Sequence, residues 1–231
     1  MSEGTIPAQQ TGEEEPGEVR VPGRLTHARE FVAAMLQLCA QDRGARAALR
    51  TGVGKHPDEA RRMHRYVAVW LPSLDEDTQR AYYAVAALIA ARRDTEAPGQ
   101  AGQAGKAGRP PEARFGESLG VAFAAAVARP RDGLRESSAE MRLHLLTRQS
   151  VAGIHRHLPA AVRQLCEKQT QPDWAQLVVD VRGWRDQRGR TGRRWLQDFY
   201  RSRRQAEIAA AKDAAERADA TDADQATAAA A

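Results

Sequence analysis

The sequence has little of what secreted domains, membrane proteins and most enzymes require. Only two cysteines occur in 231 residues, far apart, which argues against a disulfide framework and favours reduced thiols in the cytosol. No run approaches the roughly 18 apolar residues of a membrane span, and the N-terminus lacks the basic start and apolar stretch of a secretion signal. No HExxH, paired CxxC, P-loop, GxSxG or GxGxxG pattern occurs, so an enzyme is disfavoured.

No cofactor or metal site is expected either. His155 and His157 are the closest pair of histidines, but residues two apart on a helix point in different directions and cannot easily chelate one ion.

Strand-forming residues are also scarce, whereas Ala, Arg, Leu, Gln and Glu, which lose little freedom in a helix, dominate. We therefore predict an all-α fold. Residues 1–24 and 212–231 offer no apolar stripe and are predicted to be disordered tails. A Gly/Ala/Pro-rich segment at 95–112 is typical of a flexible linker or loop. It would join two small helical bundles, residues 25–94 and 113–211.

Apolar spacing and capping residues predict the individual helices. Pro57 is expected to open a helix that buries Met63, Tyr66, Val67 and Trp70 and stops at Pro72. Ser137 and Glu140 form a capping box that would start another helix. Ser150 is a candidate cap for the next helix, and Pro172 with Asp173 resembles a further start. A last helix is predicted from about Thr191, after a turn over residues 187–192.

The four tryptophans decide how bases could be contacted. Trp70, Trp174, Trp184 and Trp195 all fall on apolar helical stripes, so we predict that they pack in the core. Binding by stacked bases is then not the main mode, and contact with the backbone without sequence readout is favoured.

Charge is distributed unevenly. The whole chain carries +5, but residues 1–24 carry −3 and residues 205–231 carry −4, so residues 25–204 carry +12. Nearly all the bases are arginine, whose planar guanidinium matches phosphate oxygens. A polyanionic partner is the natural hypothesis. Nucleic acid is favoured over a membrane, because no strongly apolar amphipathic face accompanies the charge.

Three groups of arginines stand out. Residues 182–204 contain nine arginines against two aspartates, which fits a phosphate-binding surface, a solvated helical face or a site for an acidic protein. A row across two consecutive helices suits a tracked backbone or simple solvation; it comprises Arg142, Arg148, Arg156 and Arg163. The third group has helical spacing and lies with Lys55 in the N-terminal part; it comprises Arg43, Arg46 and Arg50.

Four segments, taken in order, resemble the CasB family, the small subunit of the type I-E CRISPR Cascade complex. They are LCAQDRGARAALR at 38–50, FGESLGVAF at 115–123, RLHLLTR at 142–148, and PDWAQLVVDVRGW with RRWLQDFY between 172 and 200. The resemblance covers about residues 28–204. It implies a non-catalytic, two-bundle helical protein present in two copies within a larger ribonucleoprotein.

The resemblance also implies partners and contact residues. The partners would be the guide RNA, the target and displaced DNA strands, other Cascade subunits and a second copy of the chain, with no membrane. Base pairing would read the sequence, so the subunit should hold phosphates and stabilise the R-loop. The first-choice contacts are Arg50, Arg142, Arg148 and Arg156. The further candidates are Arg46, Arg163, Arg129, Arg131, Arg182, Arg185, Arg193 and Arg194.

Two other classes of function stay open at this point. A free-standing helical DNA-binding protein, such as a transcription regulator, would need a recognition helix with polar residues aimed at bases. An all-helical enzyme that hydrolyses nucleic acid is the third class. The helices here expose mostly Arg and Ala, which favours phosphate binding over base reading.

Overall fold

The computed structural model of the chain describes residues 23–92, 116–129 and 132–229, with the backbone alone for residues 218–229. Within these ranges the regular structure is entirely helical, which confirms the all-α prediction. The described α-helices are α1 (Gly23–Gln41), α2 (Arg43–Arg50), α3 (His64–Val67), α4 (Glu76–Ala91), α5 (Leu119–Val127), α6 (Glu136–Thr147), α7 (Val151–Glu167), α8 (Trp174–Arg182) and α9 (Trp184–Ala229).

Short polar side chains cap four of these helices. Asp42, Asp75, Ser150 and Asp173 each accept a hydrogen bond from the backbone N–H three residues later, at 2.8–3.2 Å. Such a bond satisfies a donor that the first turn leaves unpaired. The predicted cap at Ser150 is confirmed, as is the predicted helix start at Pro172 and Asp173, where Asp173 is the capping residue.

The predicted capping box at Ser137 is wrong. Helix α6 begins at Glu136, with Arg135 at the cap position and no side-chain cap. Ser137 therefore lies inside the first turn, where its hydroxyl cannot cap the helix. The pattern of a serine followed three residues later by glutamate is short enough to occur one position away from a real helix start.

The segment from Pro57 to Trp70 is not the single helix that the sequence predicts. It consists of the 3₁₀ turns Pro57–Glu59, Arg61–Met63 and Ala68–Trp70 around the one-turn helix α3. The first three of its buried residues, Pro57, Ala60 and Met63, recur every three positions, which is the period of a 3₁₀ helix. Burial of these three side chains thus favours the tighter winding over an α-helix.

Helix α9 begins earlier than predicted. It starts at Trp184, so residues 187–192 are helical, and the expected turn followed by a helix from Thr191 is wrong. The two glycines in this stretch each cost about 1 kcal/mol in a helix interior. However, Trp184, Thr191 and Trp195 are buried at spacings of seven and four, which lie on one face of a helix. Packing of that face overrides the glycines.

The same helix continues to Ala229 and includes the segment from residue 212 that was predicted as a tail. From Ile208 to Arg217 every side chain is exposed, as expected for a sequence without an apolar stripe. Ion pairs one turn apart lie along this surface, such as Lys212 with Glu216 at 3.7 Å. Disorder of this segment stays a prediction.

One continuous cluster of buried side chains holds the described helices together. Helices α1 and α4 from the N-terminal part pack against α8, while α5 packs along α9. A Cβ on Gly120 of α5 would lie 1.8 Å from the carbonyl oxygen of Trp195, so this glycine allows α5 and α9 to approach closely. The two predicted bundles therefore share a core across α8. Their division at residues 95–112 lies outside the described residues and stays a prediction.

Three of the four tryptophans are buried, as predicted. Trp174, Trp184 and Trp195 are at most 4% exposed, and the rings of Trp184 and Trp195 lie 5.1 Å apart. Trp70 is only half-buried, with its ring 6.3 Å from that of Phe31. Neither Cys39 nor Cys166 is in a disulfide, and burial raises the pKa of the Cys39 thiol. In the described part of the chain, no helix combines the length and apolarity needed to cross a bilayer.

Candidate nucleic-acid interface

The arginines predicted to bind phosphate differ in whether a protein group already holds them. An exposed guanidinium without an acceptor can bind a phosphate directly, whereas one that is bonded to a carboxylate or carbonyl must first release it. Among the described residues, four of the predicted arginines are exposed and have no acceptor or acidic partner: Arg50, Arg148, Arg156 and Arg193.

Arg148 lies at the corner between α6 and α7, and this corner rests on the first turns of α9. The indole nitrogen of Trp184 donates to the backbone carbonyl of Gln149 at 3.0 Å. Gly192 approaches so closely that an added Cβ would lie 3.1 Å from the Cβ of Thr147. This part of α9 carries three exposed arginines that have no partner in the ranges described: Arg188, Arg190 and Arg193.

The arginine row across α6 and α7 is only partly formed. Arg156 and Arg163 lie seven residues apart on the exposed side of α7, which separates them by about 10 Å along the helix. Arg163 faces Glu167 at 3.9 Å and is 76% exposed, a geometry in which an ion pair contributes little. Arg142 is half-buried, and its Nε donates to Oε1 of Gln164 at 3.3 Å.

Five arginines around this corner form one group: Arg148, Arg156, Arg188, Arg190 and Arg193. We call them the basic surface. Its members come from α7, α9 and the α6–α7 corner, which are joined by the contacts of Trp184 and Gly192. The segment 187–192, predicted as a turn, is thus helical. It contains Arg188 and Arg190, and Arg193 follows directly after it.

Arg194 has a structural partner. Its guanidinium pairs with Asp180, whose side chain is 4% exposed. The same carboxylate accepts hydrogen bonds from Trp195 Nε1 at 2.6 Å and from Gln176 Nε2 at 2.7 Å. Burial raises the pKa of Asp180, while Arg194 and these hydrogen bonds act to lower it. Moving Arg194 to a phosphate would leave a buried carboxylate without its counter-ion.

Arg185 and Arg182 also face acids. Arg185 forms a two-pronged contact with Asp77 on α4, with Nε at 2.5 Å and Nη2 at 2.9 Å from its carboxylate oxygens. Arg182 is half-buried and lines a cleft of about 330 Å³ together with Asp75, Asp77 and Asp186. Both arginines were predicted contacts, but the neighbouring acids offset their charge.

In the N-terminal part, Arg46 and Arg50 have different surroundings. The Nε of Arg46 donates to the carbonyl of Ala90 at 3.1 Å, and its Nη2 donates to the carbonyl of Arg92. Arg46 therefore holds the end of α4. Arg50, one turn later, is exposed.

Two predicted residues remain. Arg129 donates to Gln169 at two points, at 2.9 Å to its side chain and 3.3 Å to its carbonyl. Arg131 lies outside the described residues. In the described ranges, no three His, Cys, Asp or Glu side chains come together where they could hold a metal ion.

Comparisons with a family model and with solved structures show which proteins this chain resembles. The family model of CRISPR-associated protein Cse2 matches residues 45–200. A solved chain titled CRISPR RNA-guided surveillance complex is 36% identical with a TM-score of 0.67, covering 81% of this chain and 99% of its own. Another, titled the same complex in a pre-nicking state, is 38% identical with a TM-score of 0.67, covering 80% and 98%.

A more distant structure shares the fold. The crystal structure of CasB from Thermus thermophilus is 21% identical with a TM-score of 0.55, and the match covers 75% of this chain and 97% of that one. No match was found among curated proteins.

Proposed function

The chain belongs to the family of CRISPR-associated protein Cse2, and from this premise we propose that it is the small, non-catalytic subunit of a type I-E CRISPR surveillance complex, Cascade. In this role it contacts the guide RNA and the target and displaced DNA strands, beside other Cascade subunits and a second copy of itself, in the cytoplasm. It stabilises the R-loop during antiviral defence. Pairing between guide and target reads the sequence, so this subunit needs to bind backbones without preference for bases.

The basic surface is the observation that carries this proposal. Its five arginines are exposed, and none has an acceptor or acid within the part of the chain that the structure describes. Exposed guanidinium groups on packed helices suit binding to phosphates, because the helices lose little further freedom when the strand is bound.

The buried tryptophans support the same mode of binding. Trp174, Trp184 and Trp195 lie in the core, so their rings are not available to stack on bases. Binding through phosphates alone is strongly dependent on salt and indifferent to sequence.

The test uses the full-length chain and labelled single-stranded RNA and DNA of several sequences, titrated over a range of salt concentrations. Replacing Arg148 and Arg156 together with alanine should weaken binding to all sequences. It should also lower the slope of log affinity against log salt by about 1.4, since each phosphate contact to a single strand contributes roughly 0.7.

The matched control replaces Arg201 and Arg204, which are also exposed but face Asp198 and Glu207, each at 3.5 Å. This variant loses the same charge and should keep most of the slope. Equal effects of the two variants would contradict a specific role for the basic surface. Binding confined to one DNA sequence would instead support a transcription regulator.

A further inference from the structure

A second concentration of basic residues lies in the N-terminal part, at residues 61–65, none of which is among the arginines predicted to bind phosphate. Four of the five residues from 61 to 65 are basic, in the order RRMHR. All four are exposed, whereas Met63 between them is fully buried. The segment thus presents its charges outward from a single apolar anchor.

The anchor fixes this segment in place. The sulfur of Met63 lies directly against Gly52, since a Cβ there would be 2.1 Å from it. The 3₁₀ turn is closed by a hydrogen bond from Met63 N to the carbonyl of Ala60 at 2.8 Å. With Met63 held inward, Arg61 and Arg62 are held on the outer side of the turn.

The following residues are also restrained. Nδ1 of His64 lies 2.6 Å from the hydroxyl of the buried Tyr83. The guanidinium of Arg65 lies over the ring of Tyr66, 4.5 Å from its centre, a favourable cation–π arrangement. The two arginines at 61 and 62 therefore project from a backbone that is fixed on both sides.

Contact between Met63 and Gly52 brings this turn next to the end of α2. Gly52 follows Arg50 by two residues, and its N–H donates to the carbonyl of Leu49 at 3.1 Å. Arg50, Arg61 and Arg62 are all exposed, and no acceptor or acid holds them in the described ranges. The carboxylate Oδ2 of the nearby Asp58 lies 2.9 Å from Nδ1 of His56.

A band of ion pairs separates these three arginines from the basic surface. His56 also faces Glu76 of α4 at 3.5 Å, and the next residue, Asp77, binds Arg185 at the start of α9. The charges of Asp77 and Arg185 offset each other, and Asp58 and Glu76 beside His56 are acids, so a phosphate strand gains little by crossing this band. The molecule consequently has two basic regions with an interval between them.

We propose that Arg50, Arg61 and Arg62 form a second phosphate-binding surface, which takes the sugar–phosphate backbone of a different strand from the one on the basic surface. The inference rests on the proposed function and adds to it Arg61, Arg62 and the separation of the bound strands between two surfaces. Two separated surfaces allow one subunit to hold two strands apart.

The test measures how many short DNA strands the native chain and its variants bind. Short DNA of about ten thymidines is titrated into the full-length chain at low salt, and the number bound is measured by calorimetry and sedimentation. The native chain should bind two strands, and Arg61→Ala with Arg62→Ala should bind one. Arg61→Lys with Arg62→Lys keeps the charge and should still bind two, as should the Arg201 and Arg204 control. Thermal melting confirms that each variant is folded.

The outcomes separate this inference from the proposed function. Loss of the second strand in the alanine pair, with the first retained, supports it. Two strands bound to the alanine pair, or a single strand on the native chain that is lost only with Arg148 and Arg156, overturns it and leaves the proposed function intact. No strand on the native chain contradicts both. Loss of binding to polyglutamate, with DNA binding unchanged, would assign the surface to an acidic protein.

Discussion

Arg193 and Arg194 are adjacent on α9, but their guanidinium groups face different surroundings. Arg193 is exposed, while Arg194 pairs with the buried Asp180. A phosphate can bind the first without any loss to the fold. Binding by the second would destabilise the protein, because the buried Asp180 would lose its counter-ion.

This difference predicts opposite results for two substitutions. Arg194→Ala should lower the free energy of unfolding by about 2 to 3 kcal/mol, somewhat below the 3–5 typical of a fully buried pair because Arg194 is partly exposed. Arg193→Ala should change it by less than about 0.5 kcal/mol but weaken nucleic-acid binding. Urea unfolding and salt titration measure the two effects. Equal stability of both variants would show that Asp180 does not depend on Arg194.

His155 predicts how stability depends on pH. Its Nε2 is buried without a hydrogen-bond partner among the described residues. Burial lowers the pKa of His155 from 6.5 to about 4; Arg80 and His56 also lower it, and Asp77 opposes them. The unfolded chain therefore binds more protons between these pH values, and stability should fall as the pH drops from about 6.5 to about 4.

His155→Phe removes this titration while filling the same space. The native chain should lose on the order of 2 kcal/mol over this pH range, and the variant should lose clearly less. Urea unfolding at a series of pH values measures the difference. An identical pH dependence in the two proteins would contradict the burial of His155.

At the scale of elements, α9 carries most of the basic surface, and its first turns decide where those arginines point. If residues 187–192 are helical, Gly189 is an exposed interior helix position where an added Cβ meets nothing within 4 Å. Gly189→Ala should then raise the free energy of unfolding by about 1 kcal/mol. At Gly192 a Cβ would meet Thr147 at 3.1 Å, so Gly192→Ala should gain less or destabilise.

Thermal or urea unfolding of the two variants checks this contrast. A turn over residues 187–192 would give the opposite result at Gly189, since a turn commonly needs a backbone conformation that alanine disfavours. Destabilisation by Gly189→Ala would therefore argue for the turn.

Helices with a regular apolar stripe and a capping residue were predictable from the sequence. Helix α7 begins after its predicted cap at Ser150, and α8 begins at the start predicted by Pro172 and Asp173. Two of the failures have one physical origin, which is packing against distant residues. Side chains buried at every third position from Pro57 to Met63 favour 3₁₀ turns there. Burial of Trp184 against Trp195 favours a helix α9 that begins before Gly189 and Gly192.

At the scale of the whole molecule, the sequence showed that the chain is basic and arginine-rich but not which arginines are available. Availability depends on acceptors that are far away in the sequence. Arg46 binds a carbonyl 44 residues away, and Arg185 binds an acid 108 residues away. The family membership was predictable because it rests on short segments in a fixed order, and the family match over residues 45–200 confirms it.

The N-terminal arginines illustrate the same limit. RRMHR is visible in the sequence, but its closeness to Arg50 depends on the contact between Met63 and Gly52. No pattern of spacing along the chain predicts that contact. Charge counting alone therefore finds basic segments, while packing decides which of them form a shared surface.

The central claim is that this chain is a subunit of an RNA-guided complex. It is tested most directly by purifying a tagged chain from cells that express its neighbouring genes, then extracting and sizing any bound RNA. We predict a stoichiometric complex that contains one discrete RNA of guide length and two copies of this chain. Recovery of the chain alone, with no RNA and no partner proteins, would contradict the account.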